Sequence, residues 1–198
     1  MEEHERRYYD LRAREYDDWY RGEGVHAERD RPGWHDETRA LEALVATLGA
    51  GRVLDVACGT GFLTRHLPGK VTGLDQSTSM LSIARERCPD VRFVQGDALA
   101  TPFDDGSFDL VFTAHFYGHL RERARERFLG EVRRLAPRLV VVDSARRADT
   151  PAAVLDERAL SDGSRHTVYK RYFEADGLAA ELGGEVLFAS RWYVAAAA

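Results

Sequence analysis

The sequence predicts an α/β protein: five parallel strands separated by helices, with an antiparallel hairpin completing a seven-stranded sheet. Three observations carry this. Short apolar, β-branched runs alternate with amphipathic stretches of helical period between residues 36 and 143. Two β-rich runs lie close together at the end of the chain, on either side of Ser190-Arg191. A length of 198 residues, 44% hydrophobic and 31% charged, suits one soluble globular domain.

The elements follow in order. Residues 53–57, 70–75, 91–95, 108–114 and 138–143 are the parallel strands, by their length and β-branched content. Residues 36–48 carry Leu41, Leu44, Val45 and Leu48 on one helical face. A short helix is expected over 60–67. Residues 77–88 form the next, with Ser77 as N-cap and Pro89 ending it. Residues 121–135 place Ala124, Phe128, Val132 and Leu135 on one stripe, and the mixed charges opposite read as a solvated face. A helix over 174–182 stops at Gly183-Gly184, and the hairpin runs over 185–189 and 192–196. Two regions stand outside the alternation. Residues 1–35 are polar and aromatic and read as an N-terminal lid. Residues 144–173 form a long connection, expected on the substrate side.

Composition excludes several classes. A net charge of −5 argues against a polyanionic partner, so no nucleic acid is expected. The two cysteines, Cys58 and Cys88, read as reduced thiols rather than a disulfide framework, and no Cys/His cluster has zinc spacing. No apolar run is long enough to span a membrane, and the charged start lacks a signal-peptide core. A cytoplasmic location is expected.

The first strand runs into Cys58-Gly59-Thr60-Gly61. Glycines at such a turn let backbone approach a ligand, and ligands of open α/β sheets bind beyond the strands' carboxyl ends. Asp55 interrupts an apolar strand and needs a donor. A cofactor bearing an amino group and a sulfonium would supply one; capping of the following loop is the other reading, and the two can coexist. Asp75 ends the second strand, 14 positions after Gly61. It can accept both hydroxyls of a ribose or cap the next helix. Asp97, in Gly96-Asp97-Ala98, can accept from an adenine amino group. Met80 offers an apolar wall or ordinary core packing. A dinucleotide fingerprint is excluded, since Thr64 stands where its third glycine belongs, and a P-loop is excluded because no Gly-Lys-Ser/Thr occurs.

With these residues the chain resembles the class I S-adenosylmethionine-dependent methyltransferases, in the small-molecule, quinone-biosynthesis-like branch (methyltransferase type 11). The likeness rests on Val-Leu-Asp-Val-Ala-Cys-Gly-Thr-Gly at 53–61, Gly73-Leu74-Asp75-Gln76-Ser77 with Met80-Leu81, Gly96-Asp97-Ala98, and 102–109. Tyr16-Asp17 adds to it. The resemblance implies a Rossmann-like three-layer sandwich. It implies S-adenosyl-L-methionine as methyl donor and S-adenosyl-L-homocysteine as product. Gly59 and Gly61 would pass under the methionine part, Asp75 would bind the ribose, and Asp97 with Ala98 the adenine; Asp55, Ala57, Gln76 and Met80 are expected as further cofactor contacts. Tyr8 and Tyr16 would reach in from the lid, and His115 would border the reacting methyl. Thr113-Ala114-His115-Phe116 stands where amino-directed nucleic-acid methyltransferases carry Asp/Asn-Pro-Pro-aromatic, which favours another acceptor.

The expected reaction is an in-line methyl transfer to a small-molecule acceptor. His115 and His119, after the fourth strand, are the candidate bases; hydrogen bonding to backbone is their alternative role. His26, His35 and His166 lie in the two outlying regions. Tyr169 and Tyr172 could wall a substrate or pack on the sheet, and Trp19 and Trp34 read as lid anchors. Protein or RNA methylation, or a cofactor-binding pseudoenzyme with a regulatory role, are the competing functions.

Overall fold

The computed structural model describes residues 3–49 and 51–198, so the first two residues of the expected N-terminal lid lie outside the described residues. A seven-stranded sheet runs in the order β3-β2-β1-β4-β5-β9-β8. Its strands are β1 Arg52–Val56, β2 Lys70–Asp75, β3 Arg92–Gln95, β4 Leu110–Ala114, β5 Leu139–Ser144, β8 Glu185–Ala189 and β9 Tyr193–Ala197. The first five are mutually parallel, and β9 runs antiparallel to both β5 and β8. This is the expected α/β architecture with its terminal hairpin.

The central strands are buried on both faces, which is why they read as near-continuous apolar runs. Successive residues point to opposite sides. Val53, Phe112 and Val142 join a core with Leu41 and Val45 of α3 (Trp34–Ala46). Leu54, Val111 and Val141 join a second core with Phe128 and Val132 of α5 (Glu122–Leu135) and Leu178 of α6 (Ala175–Leu182). Between β2 and β3, α4 (Thr78–Arg87) is capped as expected, Ser77 Oγ accepting from Met80 N at 3.1 Å. α6 ends at Gly183, whose φ of +75° closes the helix in the left-handed region. No described helix is long and apolar enough to cross a membrane.

Two expectations need correction. The helix expected over 60–67 is only a 3-10 turn, Thr64–His66. Gly59 and Gly61 are left-handed, at φ +56° and +74°, and Pro68 holds Leu67 extended at ψ 129°. Too few residues remain for a regular helix. The connection over 144–173 is structured: β6 Ala153–Ala159 and β7 Arg165–Arg171 pair antiparallel as a separate two-stranded sheet. Only alternate residues of β7 are covered, so polar and charged side chains occupy most of it and mask the strand period.

The N-terminal segment is helical, with α1 (Glu3–Arg12) and α2 (Asp18–Arg21) joined by short turns. Tyr8 of α1 packs on Leu160 and Val168 of the β6–β7 hairpin, a small apolar cluster apart from the two that flank the sheet.

A Cβ on Gly73 of β2 would stand 2.5 Å from two ring atoms of Phe93, its register partner on β3. Gly73→Ala should therefore lower stability by about 1–3 kcal/mol in urea unfolding. An unchanged midpoint would mean that the Phe93 ring swings clear at no cost.

Candidate active site

The strand order reverses between β1 and β4: β2 and β3 lie on one side of β1, and β5 lies beyond β4. A crevice opens above the carboxyl ends of such a pair. Here both ends carry an unusual backbone. Ala57 follows β1 at φ +57° and His115 follows β4 at φ +56°, the only described non-glycine residues with positive φ. Left-handed backbone at side chains with a Cβ costs about 1–3 kcal/mol and persists only where surrounding structure enforces it. His115 N is held by Val142 O at 2.9 Å, and Cys58 N, next to Ala57, by Leu74 O at 3.1 Å.

A pocket fills this crevice. Ala57 and Gly59 form its floor. Asp75 and Gln76 stand at its side, and Leu74, Met80, Gly96 and Ala98 make an apolar wall. Ala114, His115 and Phe116 close the far end, with Tyr9 and Tyr16 above. Asp75 is fixed rather than mobile: Oδ2 accepts from Gly59 N at 2.9 Å and Oδ1 from Ser77 N at 2.8 Å. Burial pushes its pKa up, against those bonds. Each oxygen keeps lone-pair capacity for a further donor. A Cβ on Gly59 would point at the Tyr16 ring from 3.7 Å, so this position faces the N-terminal segment across the pocket.

Of the twelve residues expected at a cofactor, eight line this pocket: Tyr16, Ala57, Gly59, Asp75, Gln76, Met80, Ala98 and His115. Four sit elsewhere. Asp55 is 2% exposed beneath the floor, where its Oδ2 accepts from Thr64 Oγ1 at 2.6 Å. Gly61 faces Ala84 of α4 and Cys88, which caps that helix. Asp97 borders the pocket through Gln76, whose Nε2 donates to its Oδ1 at 3.1 Å. Tyr8 is buried with the hairpin, and its neighbour Tyr9 takes the place at the pocket.

A second, larger chamber of about 450 Å³ lies between the N-terminal helices and the β6–β7 hairpin. Tyr9, Tyr16 and His115 line both spaces and form the wall between them. His119, His26, Trp19, Trp34 and Tyr172 line the chamber as well; His35, His166 and Tyr169 do not. His119 Nδ1 lies 2.6 Å from Tyr169 O. A carbonyl only accepts, so Nδ1 carries the proton and Nε2 keeps a free lone pair. His115 sits among Trp19, Tyr20 and Tyr193, with Nε2 buried and unpartnered. Desolvation, aided by Lys170, Arg158 and Arg12, pushes His115 down to about 3 despite Asp143. His119 is likewise held well below the usual imidazole range by burial and then Lys170. Both are neutral at pH 7.

The chamber also contains cations that sequence reasoning did not single out: Arg12, Arg158 and Lys170 among them. Arg12 and Arg158 sit in runs of mixed charge with no local pattern to mark them. Only the pairing of α1 with the hairpin turns them inward.

The chain was compared with known proteins. Residues 53–137 match a methyltransferase domain family. The DhpI-SAM-HEP complex shares 30% identity, with a TM-score of 0.77 over 98% of this chain and 95% of that one. The DhpI-SAH complex gives 30% and 0.75, over 98% and 94%. The demethylmenaquinone methyltransferase of Thermotoga maritima is 41% identical over 100 residues, 48% of this chain and 43% of that protein. The phthiotriol/phenolphthiotriol dimycocerosates methyltransferase of Mycobacterium tuberculosis is 44% identical over 98 residues, 44% and 34%. The chain thus aligns with between a third and a half of the length of these two curated relatives.

Burial raises Asp55 to about 7, against the Thr64 hydrogen bond and with help from Asp75. Its folded pKa exceeds its unfolded value, so its contribution is full below about pH 4 and is lost as pH rises through 7. Asp55→Asn keeps an acceptor for Thr64 without the charge. At pH 8 it should melt about 5 °C higher than wild type, with the gap closing toward pH 4. Parallel melting curves across that range would refute the assignment.

Proposed function

The chain belongs to the class I S-adenosylmethionine-dependent methyltransferases of the small-molecule type, and from that premise we propose that the pocket takes S-adenosylmethionine while the chamber takes a small-molecule methyl acceptor. The observation that carries this reading is the shared wall. Donor and acceptor spaces meet only where a methyl group would have to cross, at His115, Tyr16 and Tyr9.

The residues fit the donor's chemistry. Asp75, already oriented by two backbone donors, has lone pairs for ribose hydroxyls. Asp97, held by Gln76 and by Leu99 N, can accept from the adenine amino group beside the apolar Met80, Leu74 and Ala98. Gly59 would let backbone approach the methionine part, with Ala57 beside it on the floor and His115 in the shared wall. Asp55 and Gly61 act from behind, shaping the floor. Bound there, S-adenosylmethionine supplies a sulfonium methyl open to in-line displacement, with S-adenosylhomocysteine as product.

The chain's own residues align the acceptor and exclude water. Trp19, Trp34 and the hairpin roof the chamber. His119 is oriented by Tyr169 O, which aims the bare Nε2 into the chamber as a proton or hydrogen-bond acceptor. His115 presents an unpartnered Nε2 nearer the donor. A roofed space of this size supports a small molecule over a protein or RNA acceptor. The two buried free thiols support a reducing compartment such as the cytoplasm.

Calorimetry should show one S-adenosylmethionine site, weakened about tenfold or more by Asp75→Ala. No heat and no thermal shift with either donor form would end this reading. Release of S-adenosylhomocysteine over a metabolite panel identifies the acceptor and separates an enzyme from a binding protein. With an acceptor whose nucleophile carries a proton, His119→Ala should slow single turnover about 10²-fold. Wild-type rates across pH in both His119→Ala and His115→Ala would remove the base role.

A further inference from the structure

We propose that the acceptor is a small anion, held by its acid group among Arg12, Arg158 and Lys170, and that its charge stabilises the cationic donor next door. The inference rests on the donor reading above and adds the acceptor's chemical class.

The chamber is built for negative charge. Six cationic side chains line it against four carboxylates. Asp156 offsets one lining cation, accepting from Arg158 Nε at 3.0 Å, Arg147 pairs with Asp149, and Glu157 is taken by Arg165 outside the lining, so the cationic excess remains. Arg12 is 8% exposed and pairs with no carboxylate among the described residues. Its guanidinium donates to Tyr8 Oη at 2.9 Å and lies 4.9 Å over the Tyr16 ring. Lys170 is 3% exposed, and its one acid, Asp143, also accepts from Gly118 N and Ser144 N. Arg12, a buried cation with no carboxylate partner among the described residues, is costly unless a ligand completes it, and Lys170 shares its acid with two backbone donors. A second observation also points to a ligand. His26 is 8% exposed with Nδ1 unpartnered, and His115 Nε2 is unpartnered, both on this chamber.

The donor sharpens the argument. S-adenosylmethionine would bring a positive sulfur to the wall at His115, Tyr16 and Tyr9. Arg12 and Arg158 act electrostatically on Tyr16 and on His115 from the other side. An empty chamber therefore repels the donor, and an anion in it reverses the sign. Guanidinium forks match carboxylate and phosphate-type oxyanions alike. Donor and acceptor would thus bind with positive coupling, reciprocal between the two sites.

The product isolates this effect, because S-adenosylhomocysteine keeps the same amino, carboxylate and nucleoside groups and lacks only the methyl group and, with it, the sulfur charge. The experiment is calorimetric titration of the wild-type protein with each, in chloride and, at matched ionic strength, in inorganic phosphate or in acetate. Phosphate or acetate should tighten S-adenosylmethionine about tenfold and S-adenosylhomocysteine far less. The more effective anion distinguishes a phosphate-type from a carboxylate acid group. Arg158→Gln should abolish the difference while S-adenosylhomocysteine still binds, and Arg12→Gln provides a second, independent variant. Equal shifts for both donor forms, no shift for either, or a difference that survives both substitutions would overturn the proposal alone. Failure of S-adenosylmethionine to bind in every buffer would overturn the donor reading and this proposal with it.

Discussion

Asp17 is a carboxylate only 6% exposed, and burying it without partners would cost several kcal/mol. Its partners come from three parts of the chain. Thr60 Oγ1, in the glycine turn, donates to it at 2.6 Å. Arg87, at the end of α4, pairs with its other oxygen and donates to Thr60 O at 2.8 Å. Arg21 approaches from α2. One acid thus ties the N-terminal segment to the turn after β1 and to the helix after β2. Tyr16 precedes Asp17 directly, and its ring lies over Gly59 because of that anchor. Without it the N-terminal segment would have no fixed height above the pocket.

A second buried acid plays the matching part on the other side. Asp143, 0% exposed at the end of β5, receives Lys170 from the hairpin and Gly118 N from the turn after β4. The turn that carries His115 and His119 is therefore clamped to the hairpin that roofs it. Both clamps join a region outside the sheet to a strand end at the crevice. Tyr8, Leu160 and Val168 then join the two outside regions to each other, which closes the chamber.

The legible part of this molecule was the part governed by local rules. Strands buried on both faces announce themselves as apolar runs, so the sheet order's ingredients, the Ser77 cap and the Gly183 stop could all be read directly. Asp75 could be read because a carboxylate at a strand end has few roles. The hairpin over 153–171 could not, since one covered face among charged residues leaves a weak alternation. Tyr9 and Tyr8 were indistinguishable as neighbours on one helix, and which of them faces the pocket depends on where α1 docks. Nothing local marked Arg12 and Arg158 either. Their burial is a property of contacts far apart in sequence.

The division between the two spaces has a consequence for how such a protein can change over generations. Every residue of the crevice pocket except Tyr9 and Tyr16 falls within 53–137, the span that matches the methyltransferase domain family. Every residue of the larger chamber except His115 and His119 falls outside it. Mutation in the outer segments can therefore reshape the chamber while the inner span keeps the crevice pocket intact. Inheritance of one space and divergence of the other are written in different stretches of the same chain.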